Sequence, residues 1–197
     1  MRAEALLTLR QSLPRTSFYF VRHGQTDANK AKIIQGHLDH PLNEEGISQA
    51  RAVARMVALL SCKSLCASDL DRAVTTARII ATEIGHSAPV DCFPELKERH
   101  FGIWQGRHRD EMELVRVTDL ADIEGGEDYT FFIQRITAGL HKALQQSGPV
   151  VIVSHGGVFR AMGHLLGFEP IKAENAALYK LTPQTDSSGW IAERITE

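Results

Sequence analysis

Phe18-Tyr19-Phe20-Val21 runs straight into Arg22-His23-Gly24, and Val150-Val151-Ile152-Val153 runs into Ser154-His155-Gly156-Gly157. Both apolar runs are short, unbroken and rich in β-branched or aromatic residues, the pattern of strands buried on both faces of a parallel sheet. Each ends in a His-Gly pair. Ligands of open α/β sheets bind beyond the carboxyl ends of the strands, so two histidines far apart in sequence are expected to meet in one pocket.

The segments around these strands alternate in kind. Ile47, Ala50, Val53, Ala54, Val57 and Leu60 recur at helical spacing after Gly46, and Ala73, Val74, Ala77, Ile80, Ala81 and Ile84 mark a second helical face. Ser68 has the character of that second helix's N-cap, with Asp69 and Asp71 suited to the positive end of its dipole. Leu65 to Ala67 reads as a short strand before it. A third helix is expected from about Asp128 to Leu144, and a fourth through Val158, Ala161, Met162, Leu165 and Leu166 until Gly167 stops it. Ala177 to Leu181 and Trp190 to Ile195 read as closing strands. The alternation predicts an α/β fold, a three-layer α/β/α sandwich with a mostly parallel central sheet.

Residues 18–197 are expected to form one domain of ordinary size. Residues 1–17 are expected to be a short surface extension ahead of it, because Glu4 and Arg10 interrupt any apolar core that a targeting peptide would need. Arg107 to Gly126 follows neither period and reads as a solvated loop or a flap over the site.

The formal net charge of −2 argues against nucleic acid as a partner, since phosphate backbones are held by clustered Lys and Arg. No apolar run approaches the roughly 20 residues that cross a bilayer, so no membrane partner is expected. Cys62, Cys66 and Cys92 are odd in number and form no Cys-x-x-Cys pair, which favours a reducing, cytoplasmic setting over a disulfide framework or zinc ribbon. A monomer and a homodimer are both compatible with the sequence.

A lone histidine is more often a satisfied core residue than a catalyst, but two at paired strand ends are a different matter. Gly24 and Gly156 place no side chain beside the imidazoles and would let backbone N–H groups approach an anion. His155 and Arg72 fall at helix starts, where negative charge is favoured. Arg22 and Arg72 offer guanidinium forks that match phosphoryl oxygens.

These residues carry a resemblance. Arg22-His23-Gly24-Gln25-Thr26-x-x-Asn29 resembles the signature of the histidine phosphatase superfamily, the phosphoglycerate mutase-like proteins. Gln35-Gly36 through Pro41-Leu42-Asn43-Glu44-Glu45-Gly46, Ser68-Asp69-Leu70-x-Arg72-Ala73-x-x-Thr76-Ala77, Leu96-x-Glu98-x-x-Phe101-Gly102-x-Trp104-x-Gly106 and Ser154-His155-Gly156-Gly157-x-x-Arg160 follow in the family's order. Gln105 stands where many relatives have Glu, and Asp128 where Ser is common.

The resemblance implies a phosphoglycerate mutase-like fold, His23 as nucleophile and Glu98 as proton donor. Arg22, Asn29, Arg72, a protonated His155 and the helix start at Gly156 would hold the phosphoryl group, with Gln35 and Gly36 on the substrate rim. It implies no metal and no cofactor. The substrate would be a small phosphorylated metabolite. His37-Leu38-Asp39-His40 invites a metal-dependent reading, but no carboxylate cluster or His-Glu-x-x-His accompanies it. A Ser-His hydrolase reading of Ser154 fails because Ile152 stands where the nucleophile elbow needs Gly. Mutases of this resemblance carry a longer insertion before the last strand-His-Gly, with basic residues that grip a carboxylate. Here that stretch is short, with Arg107, Arg109 and Arg116 as its basic candidates, which favours a phosphatase over a mutase or a non-catalytic phosphate-binding module.

Overall fold

The computed structural model describes residues 3–114, 122–185 and 187–196. Its centre is a six-stranded sheet built from β1 (Phe18–Arg22), β2 (Ser64–Ala67), β3 (Asp91–Cys92), β4 (Val150–Ser154), β5 (Leu178–Pro183) and β6 (Trp190–Ile195), in the order β3-β2-β4-β1-β5-β6. β3, β2, β4 and β1 run parallel, and β5 and β6 close the sheet antiparallel on the β1 side. The two-residue β3 carries no apolar run and had no sequence signal.

Side chains alternate along the strands as the pleat requires. Phe18 and Phe20 of β1 and Val150 and Ile152 of β4 enter one core with α6 (Tyr129–Leu144) and α7 (Gly156–Leu166). Val21, Val151 and Val153 enter the other with α3 (Glu44–Ala58) and α4 (Asp71–Glu83). The sheet is thus covered on both faces, as its continuous apolar runs predict. Asn43 caps α3 by accepting the Gly46 N–H at 2.9 Å, and Asp128 caps α6 by accepting from Thr130 and Phe131. The Asp128 departure from the family pattern therefore preserves the cap.

Residues 3–17 do more than precede the fold. Helix α1 (Ala3–Gln11) packs on α7, and Leu13 is buried in the core it shares with β1. Arg10 Nε donates to the Leu165 carbonyl at 2.6 Å, which satisfies the open C-terminal turn of α7 before Gly167 ends it in the left-handed conformation. The other α-helices among the described residues are α2 (Asp27–Lys30) and α5 (Arg109–Leu114). Part of the Arg107 to Gly126 segment, Arg116 included, lies outside the described residues. No helix of the described residues is long and apolar enough to cross a membrane.

One local expectation is corrected. Ser68 does not cap α4: Leu70 occupies the cap position without a side-chain bond, and Asp39 Oδ2 accepts the Asp71 N–H at 2.6 Å instead. Ser68 is drawn away from that task because its hydroxyl is engaged by His155.

Candidate active site

The carboxyl ends of β1 and β4 lie side by side, with Arg22 opposite Ser154 in register and the His23 N–H donating to the Ser154 carbonyl at 2.9 Å. His23 and His155 follow these ends, and their rings stand 5.2 Å apart. A cavity of about 530 Å³ opens above them, lined by Arg22, His23, Asn29, Gln35, Gly36, Arg72, Glu98 and Gly156 among others. Of the residues expected to react with or hold the phosphoryl group, His155 does not line it; it is fully buried beside His23.

His23 Nδ1 sits 2.7 Å from the carbonyl of Gly24. An acceptor there assigns the ring proton to Nδ1 and leaves the Nε2 lone pair uncommitted. Burial, with the charges of Arg72 and Arg22, pushes the His23 pKa well below its ordinary value, so the imidazole is neutral.

His155 is likewise held well below the ordinary histidine value, by burial first and then by Arg72, His23 and Arg22. The expectation of a protonated His155 is therefore wrong for the resting site. Its Nε2 lies 2.8 Å from Ser68 Oγ, whose lone pair already accepts the Leu70 N–H at 3.3 Å.

The arginines are fixed from behind. Arg22 Nη1 donates to the Ala173 carbonyl at 2.8 Å, while Arg72 donates to the carbonyls of Leu38 at 2.9 Å and Gly36 at 2.7 Å, and to Asp39 Oδ1 at 3.4 Å. Gly36 holds its carbonyl on Arg72 in the left-handed region, φ +55°, where a Cβ would also strike the Gln105 side chain. Burial lowers the Arg22 pKa to about 10, with Glu98 opposing and Arg109, Arg72 and Arg160 adding to the shift, so it stays charged near neutrality. Arg22 Nε, Arg72 Nε and His155 Nδ1 are all buried with no hydrogen-bond partner among the described residues. Buried donors without acceptors are costly, and two unpartnered guanidinium nitrogens on residues that line one cavity with His23 describe a place shaped for an anion.

Glu98 closes the cavity from the other side. Its Oε2 accepts the Gly157 N–H at 2.9 Å and its Oε1 the Arg99 N–H at 2.9 Å. A Cβ on Gly157 would overlap Glu98 Oε1, so the Gly156-Gly157 pair makes room for the carboxylate as much as for an anion. The Glu98 carbonyl is held by His37 Nε2 at 2.8 Å and Arg135 at 3.1 Å, and Arg135 also grips Glu127 through two bonds of 2.7 Å. Glu95, the neighbouring carboxylate, pairs with Lys142 at 2.6 Å and does not line the cavity.

Gly24 has a different reason from the one the sequence suggested. Its N–H donates to Thr76 Oγ1 at 3.0 Å and is not available to an anion, and a Cβ there would strike the Gly46 carbonyl at the start of α3. His37 and Asp39 are committed to Glu98 and Arg72, and no group of three or more His, Cys, Asp or Glu able to hold a metal ion occurs among the described residues.

Several residues that position the site left little trace in the sequence. Asn175 Nδ2 donates to the His23 carbonyl at 3.0 Å and to Asn29 Oδ1 at 3.2 Å. Asn29 Oδ1 also accepts the Thr26 N–H at 3.1 Å, so both bonds assign the Asn29 amide oxygen away from the cavity and its NH2 toward it. Ala176 follows at φ +54° and donates to the Arg22 carbonyl at 2.9 Å. Thr76 and Arg160 stood within the quoted motifs but had no assigned task, and Ser68 had been assigned a helix cap instead.

The sequence profile of the histidine phosphatase superfamily (branch 1) matches residues 18–195. The chain belongs to the histidine phosphatase superfamily. It is 34% identical over 196 residues to the probable phosphoglycerate mutase GpmB of Yersinia pestis, covering 89% of this chain and 90% of that protein. Among solved structures, a mycobacterial glucosyl-3-phosphoglycerate phosphatase in complex with VO3 is similar at TM-score 0.77 and 27% identity, covering 90% of this chain and 97% of that one. A phosphoglycerate mutase from Bacillus anthracis is similar at TM-score 0.78 and 25% identity, covering 91% and 92%. The fold of this chain is thus shared by proteins named as phosphatases and as mutases, and in it Arg22, His23, Arg72 and Glu98 come together around one cavity.

Proposed function

We propose that this protein is a metal-independent phosphomonoesterase that carries the phosphoryl group of a small metabolite on His23 before passing it to water. The observation that carries this reading is one cavity lined by His23, with its free Nε2, and by Arg22 and Arg72, each with a buried Nε that has no partner among the described residues.

His23 Nε2 attacks phosphorus in line as the ester P–O bond breaks, giving a phosphohistidine. The Gly24 carbonyl, holding Nδ1–H, stabilises the imidazolium character that develops. Arg22, Arg72, the Asn29 amide and a ring N–H of His155 neutralise the equatorial oxygens, and fixed donors in a buried site need little rearrangement to do so. A neutral His155 suffices for that bond. Glu98, in its acid form, gives the departing oxygen its proton; as the carboxylate it then takes one from the attacking water.

Hydrolysis is favoured over mutase transfer by the short segment between the Trp104 motif and β4. Of its basic candidates, Arg107 lies over the Trp104 ring, 5.3 Å from its centroid, and Arg109 lines the cavity. The reading includes a reducing, cytoplasmic setting, in keeping with Cys62, Cys66 and Cys92 as free thiols.

The test is the stereochemistry of hydrolysis, in EDTA and in water of one oxygen isotope, of a thiophosphate ester whose phosphorus is made chiral with sulfur and the other two oxygen isotopes. Two in-line displacements give retention. Inversion, or activity abolished by EDTA and restored by a divalent ion, would overturn the proposal.

A further inference from the structure

Gln105 departs from the family pattern and takes no part in the proposed phosphoryl transfer, yet its side chain sits where two loops of the site meet. Its Oε1 accepts the His37 N–H at 2.8 Å and the Phe101 N–H at 3.3 Å. Of the two amide atoms only the oxygen accepts, so these bonds orient the side chain. The amide nitrogen, turned the other way, lies 3.2 Å from His100 Nε2. The backbone beneath is fixed by pairing, with the Gly106 N–H on the Ile34 carbonyl at 2.8 Å and the Ile34 N–H on the Arg107 carbonyl at 2.9 Å. The Gln105 side chain extends that pairing to the His37 N–H, beyond the point where the backbones part.

Each N–H that Gln105 accepts belongs to a stretch that sets a side chain of the cavity. The Gly36–His37 peptide gives its N–H to Gln105 and its carbonyl to Arg72 Nη2 at 2.7 Å. The two groups of a trans peptide point in opposite directions within one plane, so Gln105 and Arg72 grip opposite edges of the same unit and neither edge turns alone. Leu38 and Asp39, next along this loop, complete the hold on Arg72 through a carbonyl at 2.9 Å and Oδ1 at 3.4 Å. On the other side, Phe101 follows Glu98 by three residues and lines the cavity with it. The His37 ring joins the two stretches again, its Nε2 donating to the Glu98 carbonyl at 2.8 Å.

We infer that Gln105 is a positioning residue whose amide oxygen sets Arg72 and Glu98 relative to each other, by holding the His37 and Phe101 N–H groups at one point. The role rests on the phosphomonoesterase reading for its meaning, because there Arg72 takes the phosphoryl oxygens and Glu98 the leaving oxygen. The two arms differ in strength. Toward Arg72 the link is a single rigid peptide, whereas the Glu98 carbonyl is also held by Arg135 at 3.1 Å. Loss of the oxygen therefore loosens Arg72 more than Glu98.

Nitrogen NMR of the intact protein reads the Arg72 arm without turnover. Rotation of the Arg72 guanidinium about its Cζ–Nε bond should be slow in the unaltered protein and faster in Gln105→Met, which keeps the length of the side chain and removes the oxygen. Gln105→Met should also bind inorganic phosphate about three- to tenfold more weakly by calorimetry, the worth of one hydrogen bond. Gln105→Glu keeps an accepting oxygen and should keep the rotation slow. His37→Phe retains the backbone N–H and cuts only the ring's arm to Glu98. It should leave the rotation slow, yet slow esters of poorly acidic alcohols more than an ester whose phenolate leaves readily.

Unchanged rotation and phosphate affinity in a folded Gln105→Met would overturn the role. So would rotation as fast in Gln105→Glu as in Gln105→Met, because shape rather than the oxygen would then matter. Should Gln105→Met not fold, hydrogen exchange in the unaltered protein decides: the His37 N–H should be protected like the paired Ile34 N–H, and an unprotected His37 N–H overturns the role. Failure of the hydrolase reading is seen separately. Inversion at phosphorus with Arg72 released in Gln105→Met rejects that reading and keeps the positioning role, while retention with Arg72 unaffected does the reverse.

Discussion

The imidazole rings of His23 and His155 stand 5.2 Å apart at 60°, both buried and both neutral, with Arg22 and Arg72 held close enough to depress their pKa values. Neutrality here is a consequence of packing. β1 and β4 are adjacent parallel strands, so the residues that leave their ends are neighbours, and the surrounding apolar layers exclude the water that would support an imidazolium.

That arrangement makes stability depend on pH. In the unfolded chain each histidine titrates near 6.5, whereas in the folded protein both titrate lower. Above about pH 6.5 neither state binds the proton and stability is complete; below it the unfolded state gains protons the folded state refuses, and stability falls. Each histidine contributes up to about 1.4 kcal/mol per pH unit until its folded pKa is reached. Urea midpoints of the protein and of His155→Gln between pH 7.5 and 5.5 should differ in slope by up to one proton. Identical slopes would show His155 protonated in the folded state.

Much of this geometry was legible because it rests on short-range pattern. The apolar runs ending in His23 and His155, the faces of α3 and α4 and the stop at Gly167 are local signals, and they gave the sheet and its two covers. Family resemblance then selected Glu98 over Glu95. Asn175 and Arg135 were not legible, because their tasks are hydrogen bonds to backbone carbonyls and amides more than 30 residues away, which leave no period or composition behind. Ser68 was misread for a related reason. A serine just before a helix is a sound cap by local chemistry, and only the approach of His155 from β4 diverts it.

Asn175 supplies a second prediction. Its bond to Asn29 Oδ1 aims the Asn29 NH2 into the cavity, so Asn175→Ala should weaken competitive inhibition by vanadate about five- to tenfold, the worth of one well-placed hydrogen bond. Asn29→Ala should cost a similar factor. The double variant should be little worse than either, since both remove one interaction. Fully additive losses would mean that Asn175 acts independently of Asn29.

The proton donor is the third. Glu98 lines the cavity beside Arg22 and Arg72, whereas Glu95 is paired with Lys142 outside it. Glu98→Gln should therefore slow esters of poorly acidic alcohols by roughly a hundredfold or more, as loss of general acid catalysis does, while sparing an ester whose phenolate departs unaided. Glu95→Gln should show no dependence on the leaving group. Equal slowing of both ester types by Glu98→Gln would remove it from the donor role.

The phosphohistidine itself can be sought directly. A burst of substrate is mixed with enzyme, quenched in base within milliseconds, digested, and the peptide spanning β1 and residue 23 is fragmented in a mass spectrometer. One phosphoryl group should appear on His23, labile to acid as a phosphoramidate is, and it should be present without added metal. In His23→Ala the adduct should vanish, and turnover should fall by about a thousandfold or more in a protein that remains folded. A folded His23→Ala protein that turns over near the normal rate, or a phosphoryl group found on any other residue during turnover, would contradict the assignment of His23 as the nucleophile.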